Sequence, residues 1–539
     1  MRYPILLLLL IFLSSCNLSF NQDSSNHKNY YIPDQHLGVL FSDVQRSGMF
    51  PDDKTFVDAE PLYSPSEIVE KYQVEKNSHD FELKEFVQDN FQLPTSEKDE
   101  NFEFPTSMEE HLGNHWKRLT KSAADEGMSS TLISLPKPYV VPGGRFREMF
   151  YWDSYFTIEG LLVSNEDSLV HGMLDNFQYL IEEFGHIPNA NRTYFISRSQ
   201  PPFFAFMLRA YADKHGWESV IKYLPALEKE YQYWMEHEPH NLTDKSYRHL
   251  VKVDSLHTLN RYYSELKIPR AEAYSKETRW AFHLDTHERS AFHQHIRAAC
   301  ESGWDFSSRW FKDQENIHSI YTMDIVPVCL NSLLYHLEHT LSEMHYWYGH
   351  PEEANHYMFR ADLRKELINT FMWDSKSGLY RDYDFKLQSF TPAKTLATVY
   401  PLFCKMASPE QAERVCEIIE SEFLKDGGVV TTLIESGEQW DAPNGWAPLQ
   451  WMTVKGLLNY GYDELAMKIA SNWLNLNRKV YQSEHKMMEK YNVVNTNLKA
   501  GGGEYPNQDG FGWTNGIALI LSEIIQQQSN SIVEAEMTK

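Results

Sequence analysis

Cysteine is scarce, at five in 539 residues, and no CxxC pair occurs. That excludes a disulfide-stapled scaffold and a thiolate zinc site of the usual spacing. Basic residues are outnumbered, 50 Lys and Arg against 75 Asp and Glu, for a net charge of −25. Phosphates want Lys and Arg, so the balance argues against a nucleic-acid partner. Strand-like alternation is rare and no internal repeat is visible. Apolar residues still make up 42% of the chain, enough for a large core and against global disorder.

Long apolar runs are also missing, save one at the start. Arg2 precedes the stretch Ile5 to Leu13, which is too short to span a bilayer as a mature helix. It reads as the core of a signal peptide over residues 1–15. Leu13-Ser14-Ser15-Cys16 resembles a bacterial lipoprotein cleavage box, in which Cys16 becomes the lipidated first residue. The alternative is an ordinary secretory signal with an incidental Cys. The expectation is an exported, periplasmic or cell-envelope protein, anchored to a membrane through Cys16. Residues 17–33 are polar and rich in Asn and Ser, so 16–36 is read as a tether, with folded structure from Leu37. Up to about residue 135, short apolar patches alternate with Pro and acidic residues, which suggests an extension wrapped around the main domain. Cys300, Cys329, Cys404 and Cys416 sit in apolar, helical contexts and read as mostly free, buried thiols. Residues 528–539 read as a polar tail.

From about 145 to 525 the pattern is helical. In 166–185, Leu169, Val170, Met173, Leu174, Phe177, Leu180, Ile181 and Phe184 recur at i, i+3, i+4 spacing, and Gly185 supplies a stop. Further helices are predicted over 199–216, 219–237, 322–348, 352–373, 392–406, 409–422, 446–460, 462–479 and 513–527. Many helices joined by aromatic, Gly-rich loops point to an all-α toroid, with loops at one end forming a cleft.

Three loop clusters combine Gly, aromatics and carboxylates. Residues 142–155 read PGGRFREMFYWDSY, residues 439–448 read QWDAPNGWAP, and residues 501–516 read GGGEYPNQDGFGWTNG. The Gly pair at 143–144 permits a sharp turn that aims Arg145 and the pair Trp152-Asp153 into one space. Indoles stack on sugar faces, while Asp and Arg hydrogen-bond hydroxyls. Trp440 and Trp446, with two prolines in the same ten residues, read as a rigid aromatic wall. Singly, each cluster reads as a turn or as packing.

Together and in order, the clusters resemble the signatures of the trehalases of glycoside hydrolase family 37, with Phe150 where the family has its first Tyr. Phe41–Gln45, Phe50–Phe56, Ile187-Pro188-Asn189, Arg198–Pro202 and Glu301–Trp310 extend the likeness over about residues 37–523. The resemblance implies an (α/α)6 toroid, with residues 37–527 as the catalytic domain and its N-terminal extension. It implies hydrolysis of α,α-trehalose to two glucoses by inversion. Asp305 matches the general acid and Glu489 the general base. Arg145, Trp152, Asp153, Asn189, Arg198, Ser199, Gln200, Arg270, Glu272, Gly303 and Glu504 match substrate contacts. The family's RPESY stands here as Arg270-Ala271-Glu272-Ala273-Tyr274. No cofactor or metal is implied, and a monomer is expected.

Acetal hydrolysis itself asks for one protonated and one ionised carboxyl. Asp305 lies between Trp304 and Phe306, an apolar setting that favours its protonated form. His283, His287, His293 and His295 cluster before it, but no HExxH accompanies them, and they read as solvated or packed histidines. The competing readings are a silent trehalose-binding lipoprotein and a related toroid glycosidase for another disaccharide.

Overall fold

The computed structural model describes residues 30–94, 105–123, 130–235, 244–503 and 505–537. Six helical segments close into an inner ring. They are Tyr151–Val163, Phe204–His215, Val328–Tyr348, the short Tyr400–Phe403, Ala447–Leu458 and Gly512–Met537, and each packs on the next, the last returning to the first. Such helices must be apolar nearly all round. Tyr151–Val163 shows it, with ten of its thirteen residues buried. Where it crosses the last ring helix, a Cβ on Gly160 would overlap Gly516 Cα, and a Cβ on Gly516 would overlap the Phe156 carbonyl.

Amphipathic helices form the outer layer: Asp167–Phe184, Leu224–Met235, Pro351–Phe371, Pro409–Ile418 and Asp463–Glu484. The inner–outer alternation is that of an (α/α)6 toroid, and the described strands are two or three residues long. The four cysteines from Cys300 to Cys416 are buried free thiols. Among the described residues, no helix is long and apolar enough to cross a membrane.

The N-terminal extension carries a second core. Leu40, Phe41, Val44, Phe56, Phe86 and Phe91 pack there together with Phe150, Phe195 and Ala271 of the main domain. The extension is thus fused to the loops that build the cleft. Ordered structure also begins earlier than Leu37: Tyr31 is buried, and Pro33–His36 form a helical turn. At the other end, the last helix runs through Met537, so residues 528–537 are helical rather than a loose tail.

Prolines account for two shifted helix starts. The helix expected from Ser199 begins at Phe204, because Pro201 and Pro202 hold the preceding residues extended. The helix expected from 322 begins at Val328, after Ile325-Val326 pair with Tyr383-Asp384 and Pro327 ends the strand. The helix Thr286–Glu301 was not foreseen, although Asp285 and Glu288 form a capping box at its start. His283 lies before that helix and His287 within it, with Leu284 extended between them, so they do not share one helical face.

Candidate active site

A cavity of about 330 Å³ opens at the N-terminal ends of the ring helices. That is within the usual range for small-molecule sites, about 300–1,000 Å³. Arg145, Trp152, Asp153, Asn189, Arg198, Gln200, Arg270, Glu272, Gly303, Asp305, Trp440, Trp446 and Glu489 all line it. Trp152 and Asp153 occupy the first turn of an inner helix. Gly303 and Asp305 follow the helix Thr286–Glu301. Glu489 directly precedes the strand Lys490–Asn492, which pairs with Asn444–Trp446 and so joins the Glu489 segment to the tryptophan loop.

Asp305 is the more open of the two carboxylates, with 29% of its side chain exposed, and Arg270 Nη1 stands 3.9 Å from Oδ2. The apolar setting expected from its neighbours is absent at the carboxyl. Trp304 and Phe306 turn into the core, both fully buried, and Trp304 stacks on Trp440 at 5.5 Å. Three indoles form a pile, since Trp440 and Trp446 lie parallel at 3.9 Å. Below it, Asp441 accepts hydrogen bonds from Ser307 Oγ at 2.8 Å, Ser308 N at 2.8 Å and Thr432 Oγ1 at 2.8 Å. That buried carboxylate fastens the Asp305 loop to the tryptophan loop.

Glu489 is buried. Lys490 Nζ lies 3.2 Å from Oε2, and the Tyr505 hydroxyl donates to Oε1 at 2.8 Å. Its carbonyl accepts the Trp513 indole N–H at 3.0 Å. Burial, then the Glu489 charge, pushes the Tyr505 phenol far above its ordinary range, so it remains a donor.

Asp153 is nearly buried beside both carboxylates. Burial first, then the charges of Glu489 and Asp305, pushes its carboxyl well above the usual carboxylate range. Arg198 Nη2 pairs with Glu272 Oε1 at 2.6 Å, while Arg198 Nε and Nη1 and Glu272 Oε2 are buried without partners among the described residues. Buried polar atoms of this kind are ordinarily satisfied, and these line the cavity. Burial would raise the Glu272 carboxyl, but Arg198 and Arg270 outweigh it and hold it below its usual range. Arg270 is locked by Glu277, whose Oε2 accepts the Arg270 N–H at 2.9 Å. Arg145 Nε has no partner among the described residues, and the guanidinium lies 5.1 Å from the Tyr505 ring centroid. Such a set of fixed forks and carboxylates suits a ligand rich in hydroxyls.

A family profile described as Trehalase matches residues 48–525. The chain belongs to the trehalase family. Periplasmic trehalase of Citrobacter koseri is 44% identical over 92% of this chain and 86% of the relative. That of Salmonella paratyphi B is 43% identical over 94% of this chain and 89% of the relative. The solved neutral trehalase of Saccharomyces cerevisiae superposes with a TM-score of 0.59 at 27% identity, over 72% of this chain and 73% of that one. A mannosylglycerate hydrolase from Thermus thermophilus shares the fold alone, with a TM-score of 0.51 at 18% identity over 78% of this chain and all of that one. As a trehalase the chain is a glycoside hydrolase, and its reaction is the hydrolysis of trehalose.

Within this trehalase site, one matched residue is not brought to the cavity. Ser199 is buried, and its hydroxyl donates to Ile187 O at 2.7 Å. It shapes the loop that carries Arg198 and Gln200. Glu504 lies outside the described residues. Conversely, Asp52, Tyr505 and Trp513 line the cavity without having been singled out. Asp52 lies in the Phe50–Phe56 segment already matched to the family. Tyr505 is next to Glu504 in the third cluster, and its neighbour drew the attention. Glu301, at the head of the acid loop, turns inward, where His249 Nε2 at 3.2 Å and the Tyr263 N–H at 2.9 Å meet it.

Proposed function

We propose that this chain works by inversion, with Asp305 as general acid and Glu489 as general base. Asp305 gives its proton to the bridging oxygen as the bond from that oxygen to the attacked anomeric carbon breaks. Glu489 takes a proton from a water whose oxygen bonds to that carbon from the opposite face. The attacked glucose leaves as the β anomer and its partner as the α anomer. Arg145, Asn189, Arg198, Gln200, Arg270 and Glu272 hold the sugar hydroxyls, and Trp152 with the indole pile limits the cleft. The observation that carries this reading is the meeting of both carboxylates, from segments 184 positions apart, in one cavity with Arg145, Arg198 and Arg270. Proton NMR of the first turnover tests it. One α- and one β-glucose are expected, and two α-glucoses rule inversion out.

The curated relatives are named periplasmic trehalases. We infer the same compartment here, with attachment to a membrane through Cys16, which lies outside the described residues. Cys16→Ser is expected to move the protein from the detergent phase to the aqueous phase and leave its activity intact. Equal partitioning of the two forms sinks the lipid anchor.

A further inference from the structure

We propose that Lys490 is the positioning residue of the general base, and that Gln439 ties it to the general acid. The inference rests on Glu489 being that base. Both oxygens of Glu489 are held, Oε2 by the Lys490 ammonium at 3.2 Å and Oε1 by the Tyr505 hydroxyl at 2.8 Å. The Lys490 side chain has no exposed surface. Around its ammonium stand Glu489, Gln439 Oε1 at 3.1 Å, and the rings of Trp446 at 5.1 Å and Tyr505 at 5.2 Å. Glu489 is the carboxylate paired with it, and the two rings favour a cation through their faces.

Gln439 is also buried, and its amide has two ends in use. Oε1 accepts from Lys490, and Nε2 donates to the backbone carbonyl of Asp305 at 2.5 Å. One side chain thereby connects the acid's backbone to the base's counter-ion. The strand pairing of Trp446 with Lys490 fixes the same relation from the backbone side.

A base that activates water must be ionised when substrate is bound. Burial opposes this, because a carboxylate loses hydration. Asp153 on the helix Tyr151–Val163 and Asp305 in the loop after the helix Thr286–Glu301 line the same cavity. Arg145 lies over the far side of Tyr505. Among the described residues, Lys490 is the positive group paired with the carboxylate, so it orients Glu489 and offsets its charge. A lysine that only filled space would affect stability and leave the titration of turnover alone.

The test is the pH dependence of kcat/KM for trehalose between pH 4 and 9. In Lys490→Met the acidic limb is expected to move up by about one unit or more. At neutral pH kcat falls about tenfold or more, while KM changes by less than about threefold. Tyr505→Phe removes the other hydrogen bond but no buried charge, and its limb moves the same way by less. An unmoved limb in a Lys490→Met protein with native near-ultraviolet circular dichroism overturns the proposal. If that variant is recovered unfolded, Lys490→Gln, which keeps a polar side chain without the charge, decides, and an unmoved limb there has the same force. Glu489→Gln separates the two levels. Retained turnover in it removes the base assignment. A silent Glu489→Gln beside an unmoved limb in Lys490→Met removes only the role given to Lys490.

Discussion

Gly303 lies flat against the indole of Trp152, so that a Cβ at position 303 would sit 2.8 Å from Cε2 and 2.9 Å from Cζ2. Gly303 also has φ +74°, a conformation open to glycine and strained for alanine. Gly303→Ala is therefore expected to push Trp152 toward the substrate. The outcome is a fall of about tenfold or more in kcat/KM together with a lower melting temperature. Unchanged kinetics in a folded variant would remove Trp152 from the wall of the cleft.

Asp305→Asn and Glu489→Gln are each expected to lower kcat by about 10²-fold or more. Trehalose binding survives in both, because Arg198, Arg270 and Glu272 hold the sugars. Calorimetric titration and glucose release measure the two quantities separately. Near-normal turnover in either variant takes that residue out of its role.

Arg198→Lys keeps the charge and loses the planar fork. Arg198 Nε and Nη1 are the donors left open toward the cavity. A lysine offers a point charge that satisfies Glu272 and little else. The dissociation constant for trehalose in the Glu489→Gln background is expected to rise by about tenfold, corresponding to a lost charge-assisted hydrogen bond. An unaltered constant would mean that Arg198 serves the loop and not the sugar.

Ser199→Ala separates the sequence reading from the structure. Because the hydroxyl bonds to Ile187 O and not to the cavity, the expected loss is about 1 kcal/mol of stability. Activity at temperatures below the melt should change by less than about threefold. A selective rise in KM without a shift in melting temperature would restore Ser199 as a substrate contact.

Glu230 supplies a pH dependence of stability. Burial holds its carboxyl up at about 8, against an ordinary value near 4.5, and the Tyr151 hydroxyl is its partner. A group whose folded value is raised contributes fully below the unfolded value and loses that contribution as pH climbs through the folded one. Melting temperature should thus decline between pH 4.5 and 8, and Glu230→Gln should flatten this decline. Parallel profiles for the two proteins would show that Glu230 is not the source.

The outer helices were legible in the sequence because one-sided burial imposes a spacing on them, as in Leu169 to Phe184. The site was legible for a different reason. Its residues sit in loops where Gly, Pro and Trp fix the backbone, and those letters recur across the family. Side-chain direction in such loops carries no periodic signal. Arg198 faces the cavity and Ser199, its neighbour, faces away. Trp304 and Phe306 flank Asp305 in sequence and leave its carboxyl in the open. Lys490 follows Glu489 in sequence, and adjacency along a chain does not by itself make an ion pair. The β-pairing with Asn444–Trp446 and the bond to Gln439 fix it as one.

The second core has a bearing on timing. The cleft takes side chains from Val44 near one end of the chain to Trp513 near the other, and Phe150, Phe195 and Ala271 pack into the core of the first ninety residues. Contacts of such sequence separation form late and together. A chain made from its N-terminus onward can therefore have no working cleft until the segment from Met487 to Trp513 has been synthesised and has docked. Its activity is a report on a chain made at least as far as Trp513.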